Sequence, residues 1–221
     1  MKISIHQPAY IPWLGYFDKI SKVDQFVFLD SVQFGKNSYI NRNQIKTSSG
    51  PLWLSIPVKL KGHINQEIKD VLIDGAKWKS KHLKSIFYNY QKAPYFENLF
   101  PKIENLYSIE TVNLSELLMD QLLFWNSELG IRTPIVKSSD LSLTGKKSDL
   151  ILDICMKLGA TEYYSGVNGK DYLDISKFND CGINVVFQDY QYPRYKQSFK
   201  GFLPNLSIVD FWMNSHNIEC M

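Results

Sequence analysis

The sequence predicts an α/β fold: a Rossmann-like parallel sheet with a helical insertion. Three observations support this prediction. The last third of the chain alternates short apolar runs with amphipathic helical patterns, as βαβ units do. The chain also begins with an apolar run, at residues 2–5, that leads into a helical pattern at 12–21. Between these parts lies a segment, residues 73–130, whose apolar residues follow the helical period.

The first 60 residues supply strand-like pieces separated by turns. The apolar runs are residues 2–5, 25–29 and 52–58. Pro12 suits the first turn of the helix predicted at 12–21, because the N–H that proline lacks has no partner there. One face of this helix is expected to pack on the sheet; it carries Trp13, Phe17 and Ile20. The stretch 37–50 is polar.

Two apolar stripes mark the insertion at 73–130. Their residues recur at three- and four-residue steps, which predicts amphipathic helices. The first stripe is Trp78, Leu83, Ile86, Phe87 and Tyr90, and the second is Leu114, Leu117, Leu118, Gln121, Leu122 and Trp125. Glycines at 50, 62 and 75 bound the beginning of this segment.

The last third repeats a strand–helix pattern. Strands are predicted at 134–137, 162–164 and 184–187, and helices at 149–158 and 172–178. Gly159 and Gly182 follow the two helices and suit the left-handed conformation that often ends a helix. Consecutive βαβ units of this kind form a parallel sheet.

Length and composition predict one α/β domain over residues 1–221. The chain is 44% hydrophobic and 21% charged, which excludes a disordered protein. Its net charge is +3 and its longest basic run is Lys146–Lys147, so no dedicated nucleic-acid patch is predicted. No window approaches the roughly 18 apolar residues that a membrane span needs. Three scattered cysteines and no signal peptide predict a cytoplasmic protein.

Polar and aromatic residues follow the first predicted strand, in the stretch HQPAYIPWLGYFDKI at 6–20. Ligands of parallel α/β sheets bind beyond the carboxyl ends of the strands, so His6, Gln7 and Tyr10 are expected at a ligand-binding edge. A histidine beside a helix start can donate to a developing negative charge. The alternative is that His6 bonds a neighbouring strand and the aromatics pack. The strand-end position favours a site.

The stretch LDSVQF ends the second predicted strand and brings Asp30 and Gln33 to the same edge. Asp30 would be costly to bury unpaired, and Lys36 and Arg42 are candidate partners. Arg42 and the amide of Asn43 suit a carboxylate, a phosphate or sugar hydroxyls. A turn with a solvated arginine explains the same residues equally well.

Two loops combine glycine with lysine. The loop SGVNGK carries Ser165, Gly166 and Lys170, which can hold an anion. It is too short between its glycines and lysine for a Walker motif, and a plain βα turn is an equal alternative. The basic loop SLTGKK at 142–147 lies one unit earlier. Two such loops along one sheet edge strengthen the prediction of an anionic ligand.

His82 shares a helical face with Trp78, Ile86 and Tyr90, and this face either packs in the core or overhangs the sheet edge. No carboxylate lies at metal-ligand spacing from His82. His63 and His216 are isolated in sequence, so no protein-bound metal is predicted.

Six stretches resemble the WbqC-like family, and the resemblance covers nearly the whole length. They are HQPAYIPWLGYFDKI, LDSVQF, NRNQI, LWLSIPV, WKSKHLKSIFYNYQKAPYF and YYSGVNGKDYLD. The opening pattern HQPxYxPWxGYF is specific. The resemblance implies a cytoplasmic protein of bacterial surface-polysaccharide (O-antigen) biosynthesis, with a glycine-transferring role on an amino sugar.

The first βα unit also resembles, distantly, the nucleotidylyltransferase and pantothenate synthetase superfamily. In that superfamily the first strand ends in a histidine-containing ATP-binding turn. Its pair of histidines with two residues between them is missing here, which leaves His6. The resemblance implies a fold that binds ATP, activates a carboxylate and passes it to an amine.

These resemblances imply a transferase or an ATP-dependent amide-forming ligase. It would join an amino acid such as glycine to the amine of a nucleotide-linked deoxyamino sugar, using ATP with Mg²⁺ or a charged donor such as aminoacyl-tRNA. His6 would stabilise charge or act as general acid or base, and Asp30 would accept protons from the amine. Candidate substrate-binding residues are Gln7, Tyr10, Gln33, Arg42, Asn43, His82, Ser165, Gly166 and Lys170.

Two other functions stay open at this point. One is a nucleotidylyltransferase that acts on a sugar phosphate, which the same histidine turn would serve. The other is a non-catalytic binding module of the glycan machinery, whose aromatic residues would stack on sugars.

Overall fold

The fold is described from a computed structural model, which describes residues 1–59 and 66–215. His63, His216, Cys220 and Gly62 lie outside the described residues. The first βα unit forms as predicted: β1 is Lys2–His6, α1 is Leu14–Ser21 and β2 is Gln25–Phe28. The chain then makes an antiparallel hairpin of β3, Arg42–Thr47, and β4, Gly50–Ser55. The hairpin is separate from the main sheet.

Three helices follow the hairpin: α2 is Lys77–Tyr90, α3 is Phe96–Ser108 and α4 is Leu114–Glu128. They fall within the segment 73–130 that the sequence marks as helical. A short 3₁₀ turn at Ile68–Asp70 precedes them. The assignment of 1–221 to one domain with an insertion at 73–130 stays a prediction.

The last third returns to the main sheet. It contains β5, Ile135–Lys137; α5, Ser148–Lys157; β6, Glu162–Ser165; α6, Ile175–Asp180; β7, Asn184–Phe187; and α7, Ile208–Asn214. Two more 3₁₀ turns lie at Ser138–Asp140 and Val167–Asp171. The second of them directly precedes the helix predicted at 172–178, which begins at Ile175 in the structure.

All neighbouring strands of the five-stranded sheet run parallel, in the order β5-β2-β1-β6-β7. Counted along the chain as parallel strands, this order is 3-2-1-4-5, the arrangement of a Rossmann-like sheet. The prediction of an α/β fold with such a sheet is therefore confirmed. The strand order reverses between β1 and β6, and the switch point where ligands bind in such sheets lies beyond their carboxyl ends.

Each face of the sheet is covered by helices, because successive side chains of a strand point to opposite faces. Ile3, Ile5, Val27 and Leu29 belong to one apolar cluster with α5 and α6 residues such as Ile154 and Phe178. Phe26, Phe28 and Tyr164 belong to a second cluster with α1 and with residues of α2, α3, α4 and α7. The result is a three-layer fold that leaves the carboxyl edge of the sheet open to a ligand.

Candidate functional site

A cavity of about 700 Å³ lies at the switch point, between the carboxyl ends of β1 and β6. Its wall includes side chains from β1, α1 and the turn after β6. They include His6, Gln7, Trp13, Tyr16, Lys19, Tyr39, Gly166, Asn168, Gly169, Tyr172, Gln188 and Asn205. His6 and Gly166, which are 160 residues apart in the sequence, thus share one cavity. We call it the switch-point cavity.

A second cavity of about 860 Å³ lies beside the first. The two share four lining residues: Gln7, Leu29, Ile151 and Tyr172. Its wall also carries Gln33, Glu67, Lys69, Gly145, Lys146 and Lys147. Glu67 pairs with Lys69 at 2.7 Å, which leaves the two lysines of the loop, among the described lining residues, as its unpaired basic side chains. The basic loop at 142–147 therefore faces this second, basic cavity, and the two cavities together form a cleft along the sheet edge.

Backbone strain accompanies the basic loop. Lys147 has φ +53°, a conformation that lysine rarely adopts, and Gly145 has φ +81°. A Cβ on Gly145 would lie 3.1 Å from Cβ of Asp149 and 3.2 Å from the backbone N of Leu150. The loop packs too closely on the first turn of α5 for another residue at 145. This conformation presents Lys146 and Lys147, both exposed, to the basic cavity.

His6 is held in a defined tautomer. Its Nδ1 lies 2.9 Å from the carbonyl oxygen of Gln7, which can only accept, so Nδ1 carries the proton. Nε2 is then the nitrogen with a free lone pair. Burial, followed by the nearby charge of Lys19, lowers the pKa of His6 to about 3. The imidazole is neutral at physiological pH, and its Nε2 lone pair can accept a hydrogen bond from a ligand.

Lys19 is a site residue that the sequence analysis missed. It is 3% exposed, and its Nζ donates to the carbonyl oxygen of Ile5 at 3.0 Å. Burial lowers its pKa to about 7. The sequence does contain a sign of this site: Lys19 lies between Phe17 and Ile20 in an apolar helix. Lysine is seldom buried without a functional or structural role.

The glycine turn comes close to Lys19 and lines the same cavity as His6. A Cβ on Gly166 would lie 3.9 Å from Nζ of Lys19. Gly169 is packed more tightly still, because its Cβ would lie 2.0 Å from Oγ of Ser165. Ser165 itself is fully buried and donates to the carbonyl oxygen of Gly166 at 3.1 Å. Ser165 shapes the turn from behind, while Gly166 and Gly169 line the cavity.

Trp13 lines the cavity, whereas the sequence placed it on the face that packs against the sheet. Its ring lies 5.8 Å from the ring of His6 and 5.4 Å from that of Tyr39. It directly precedes α1, at the N-cap position, so the helical period does not set its direction. Phe17 and Ile20 are fully buried. Trp13, Tyr16 and Tyr39 form an aromatic wall beside His6.

Asp30 lies in a fully bonded buried position. Its carboxylate accepts from Ser115 Oγ, from Ser138 Oγ, and from both the backbone N and Oγ of Ser139, at 2.9–3.3 Å. These partners are serines rather than the expected Lys36 or Arg42. Asp30 is not one of the described residues that line the two cavities of the cleft. Its bonds join β2 to α4 and to the turn after β5, which is a structural role.

Arg42 and Asn43 lie on the hairpin, apart from the cleft lining. The Arg42 guanidinium lies over the Trp53 ring at 4.3 Å. Asn43 is buried, and its amide nitrogen donates to the carbonyl oxygens of Tyr10 and Ile11 at 3.3 and 2.9 Å. Asn43 therefore fixes the chain after β1 onto the hairpin instead of facing a ligand.

Tyr10 and His82 form a buried cluster behind the cleft. The Tyr10 hydroxyl bonds Nδ1 of His82 at 2.8 Å and makes a short bond to the Tyr107 hydroxyl. Tyr10 is fully buried and His82 is 5% exposed. His82 lines a shallower cavity between β4 and α2, together with Trp53 and Trp78. Tyr10 and His82 therefore contact each other, and neither of them lines the cavity that contains His6.

Lys170 is exposed, with Nζ 5.3 Å from the centre of the Phe187 ring, and the described lining of the cleft does not include it.

Of the candidates, the structure brings His6, Gln7 and Gly166 into the switch-point cavity and Gln33 into the basic cavity. Asp30, Arg42, Asn43, Tyr10, His82, Ser165 and Lys170 lie elsewhere.

Sequence comparison agrees with the resemblance carried by the opening motif. The model of the WbqC-like protein family matches residues 7–220. The chain belongs to the WbqC-like protein family. It is also 39% identical over 215 residues to the uncharacterized protein Rv1507c of Mycobacterium tuberculosis (strain ATCC 25618 / H37Rv), an alignment that covers 96% of this chain and 93% of that protein. No solved structure matches the chain significantly.

Within residues 1–59 and 66–215 of this WbqC-like protein, no helix is long and apolar enough to cross a bilayer. In the same ranges, no three His, Cys, Asp or Glu side chains are grouped to hold a metal ion. Lys146 and Lys147 line the basic cavity beside the start of α5, an arrangement that suits an anionic group. The switch-point cavity presents an aromatic wall, the side-chain amides of Gln7, Asn168 and Gln188, and the buried Lys19.

Proposed function

We propose that this WbqC-like protein is an enzyme of bacterial surface-polysaccharide (O-antigen) biosynthesis. It transfers an aminoacyl group, glycine in the first instance, to the amine of a nucleotide-linked deoxyamino sugar. The observation that carries the proposal is the two-part cleft. The switch-point cavity, which contains the neutral His6, adjoins the basic cavity. The family resemblance contributes the pathway, and the cleft contributes the chemistry.

A nucleotide-linked sugar matches the two halves of the cleft. The diphosphate is held by Lys146 and Lys147 in the basic cavity. The sugar ring enters the switch-point cavity and packs on Trp13 and Tyr39, since aromatic faces suit the apolar faces of sugars. Gln7 lines both halves and is placed to orient the substrate between them.

In the reaction, the sugar amine attacks the carbonyl carbon of the activated aminoacyl donor. A C–N bond forms, and the C–O bond to the donor breaks and leaves its electron pair on the oxygen. Nε2 of His6 accepts the proton that the amine loses. In this proposal His6 takes the proton-accepting role that the sequence gave to Asp30, because Asp30 is occupied by its serine partners.

The activated donor is either aminoacyl-tRNA or an aminoacyl adenylate made from ATP with Mg²⁺. The test incubates the protein with glycine or other amino acids, with each donor system, and with a panel of nucleotide-linked amino sugars. Mass spectrometry is expected to detect a nucleotide sugar that is heavier by one aminoacyl residue. Absence of this product across the panel contradicts the proposal.

The same experiment separates the two other functions. A nucleotidylyltransferase would release pyrophosphate from a nucleoside triphosphate and a sugar phosphate, without any amide product. A non-catalytic module would bind glycan in calorimetry and would turn over none of the substrates. The basic cavity serves the first of these as well, since it suits any nucleotide.

A further inference from the structure

We propose that Lys19 anchors an oxyanion-binding subsite in the switch-point cavity, which takes the carboxylate or phosphate group of a substrate. The inference rests on the proposed function and adds to it a residue and a ligand class. The sequence analysis assigned no role to Lys19.

The Lys19 ammonium is buried without a counter-ion. It is 3% exposed and its hydrogen bond goes to a neutral acceptor, the Ile5 carbonyl oxygen. Among the described residues, none of the ion pairs includes Lys19. The adjacent Asp18 is bonded to Lys22 and to Gln188 instead. A buried charge is costly unless it is paired, so an anionic ligand is the missing partner.

The surrounding cavity carries no negative charge to replace that ligand. Its described lining contains no Asp or Glu. Burial lowers the pKa of His6, which stays neutral. Burial also raises the pKa of Tyr16, Tyr163 and Tyr172, which keep their protons. Lys19 is thus the group in this lining that can carry charge near neutral pH.

The space in front of Lys19 is open to a small group. Gly166 lies beside it, since a Cβ built at this position would lie 3.9 Å from Nζ of Lys19, and a larger side chain there would enter this space. Asn168 also lines the cavity and offers an amide to an oxyanion. Gly166 has φ −65° and ψ 162°, which other residues adopt without strain, so a larger residue can be introduced there to fill this space.

Anion binding at Lys19 makes a specific thermodynamic prediction. Burial lowers the pKa of Lys19 to about 7, so a fraction of the lysine is neutral at that pH. An anion favours the ammonium form, and the protein therefore takes up part of a proton when the anion binds. The affinity falls as the pH rises above 7, because the ammonium is lost. The bound anion also offsets the positive charge of Lys19, which contributes to the low pKa of His6.

The experiment is calorimetric titration of the full chain at pH 7 with inorganic phosphate, pyrophosphate, acetate and glycine as separate probes. Each titration is run in two buffers with different ionisation enthalpies, which reports proton uptake. Binding of at least one probe with uptake of a fraction of a proton is expected. A preference for acetate or glycine assigns the subsite to a carboxylate, and a preference for phosphate or pyrophosphate assigns it to a phosphate.

Two variants test the residue. Lys19→Met keeps the side-chain volume and removes the charge; we expect at least about tenfold weaker binding and no proton uptake. Gly166→Val leaves the lysine in place and fills the space beside Nζ, with a similar loss of affinity. The control is Lys157→Met on α5, whose ammonium pairs with Asp153 outside the cavity; it is expected to bind like the wild type.

Several outcomes overturn the inference. They are the absence of binding by all four probes, binding without proton uptake, and binding that both variants leave unchanged. If Lys19→Met abolishes turnover while anion affinity is unchanged, the lysine works as a neutral base and the inference is wrong. If Lys19→Met fails to fold, Gly166→Val decides.

The failure of this inference is distinguishable from the failure of the proposed function. Anion binding that depends on Lys19, without amide product in any assay, keeps the subsite and rejects the reaction. Amide formation with unchanged kcat and KM in Lys19→Met keeps the reaction and rejects the subsite.

Discussion

At the scale of single residues, the tautomer of His6 makes its proposed role testable. The Gln7 carbonyl holds the proton on Nδ1, so the chemistry depends on Nε2. His6→Asn keeps an N–H donor near the Nδ1 position and removes the basic nitrogen. We expect kcat to fall by about 100-fold or more, which is typical for the loss of a general base. Amide formation under saturating substrate measures this.

The control for His6→Asn is the free energy of unfolding in urea. It is expected to stay close to that of the wild type, because the bond to the Gln7 carbonyl is kept. A variant that retains turnover within a few-fold of the wild type would remove His6 from the proton transfer. A large loss of stability would instead point to a packing role.

Gly169 tests how tightly the glycine turn is packed. An alanine Cβ there would lie 2.0 Å from Ser165 Oγ and 3.0 Å from Leu173 Cδ1, so the turn or β6 must shift. We expect Gly169→Ala to lower the free energy of unfolding by about 1–3 kcal/mol, the usual cost of overpacking. Urea denaturation followed by tryptophan fluorescence measures it.

Gly35→Ala is the matched control for Gly169→Ala. A Cβ on Gly35 would meet Cβ of Ser38 at 3.7 Å, an ordinary contact, in an exposed loop. Its stability is expected to stay within about 0.5 kcal/mol of the wild type, as for most surface changes. Equal effects of the two substitutions would show that the packing of Ser165 on Gly169 contributes little.

Strand-end logic predicted some site residues and missed others for physical reasons. It brought His6 and Gly166 to one cavity, because the carboxyl ends of parallel strands meet at one edge. It missed Lys19, because a helical period identifies a buried face but not a charged residue that ends in a cavity. It also gave Asp30 a chemical role, since a sequence does not show that three serines surround a carboxylate.

At the scale of elements, Asp30 links three pieces of the fold. Its carboxylate bonds join the end of β2 to α4 and to the turn at Ser138–Asp140. Asp30→Asn replaces an acceptor oxygen with a donor. We expect a loss of about 1–3 kcal/mol in the free energy of unfolding, because buried donors lose their acceptor. Urea denaturation measures the loss.

Asp140→Asn serves as the control for Asp30→Asn, because Asp140 lies in the same turn and is exposed. Its stability is expected to match that of the wild type. If Asp30→Asn were as stable as the control yet inactive in amide formation, Asp30 would have a chemical role rather than a structural one.

The elements that the sequence predicted are those with strong periodicity. The βαβ units agree within a few residues, since their apolar patterns reflect two buried faces. The strand β3 lay in a stretch too polar to indicate one. Helix α3 contains Pro101, a residue that argues against a helix interior, and the short helix α7 was not predicted. In these places tertiary packing overrides the local pattern.

At the scale of the whole molecule, the strand order creates the site. The sequence predicted parallel strands but not the order 3-2-1-4-5, which depends on where each crossover packs. That order places β6 beside β1, although paired positions such as Lys2 and Glu162 are 160 residues apart in the sequence. The switch-point cavity therefore joins residues that are far apart in the sequence, and it forms only when the whole sheet is assembled.

The two histidines in the described ranges make that stability depend on pH. Burial lowers the pKa of His82 from 6.5 to about 4 and that of His6 to about 3. The unfolded chain thus binds these protons at a higher pH than the folded protein does. The contribution of these two histidines to stability is full above pH 6.5 and is lost as the pH drops toward 4. Burial raises the pKa of Asp210, which acts in the opposite direction, so a variant is needed to isolate His82.

His82→Gln isolates the contribution of His82, because glutamine can hydrogen-bond Tyr10 but does not titrate. For the wild type, His82 is expected to remove roughly 3 kcal/mol between pH 6.5 and 4. The variant is expected to lose less stability over that interval. The slope of its unfolding free energy against pH is expected to be smaller by an amount that corresponds to at most about one proton. Urea denaturation at pH 7.5, 6.5, 5.5 and 4.5 measures both slopes. Parallel curves for the two proteins would show that His82 is protonated in the fold as readily as in the unfolded chain.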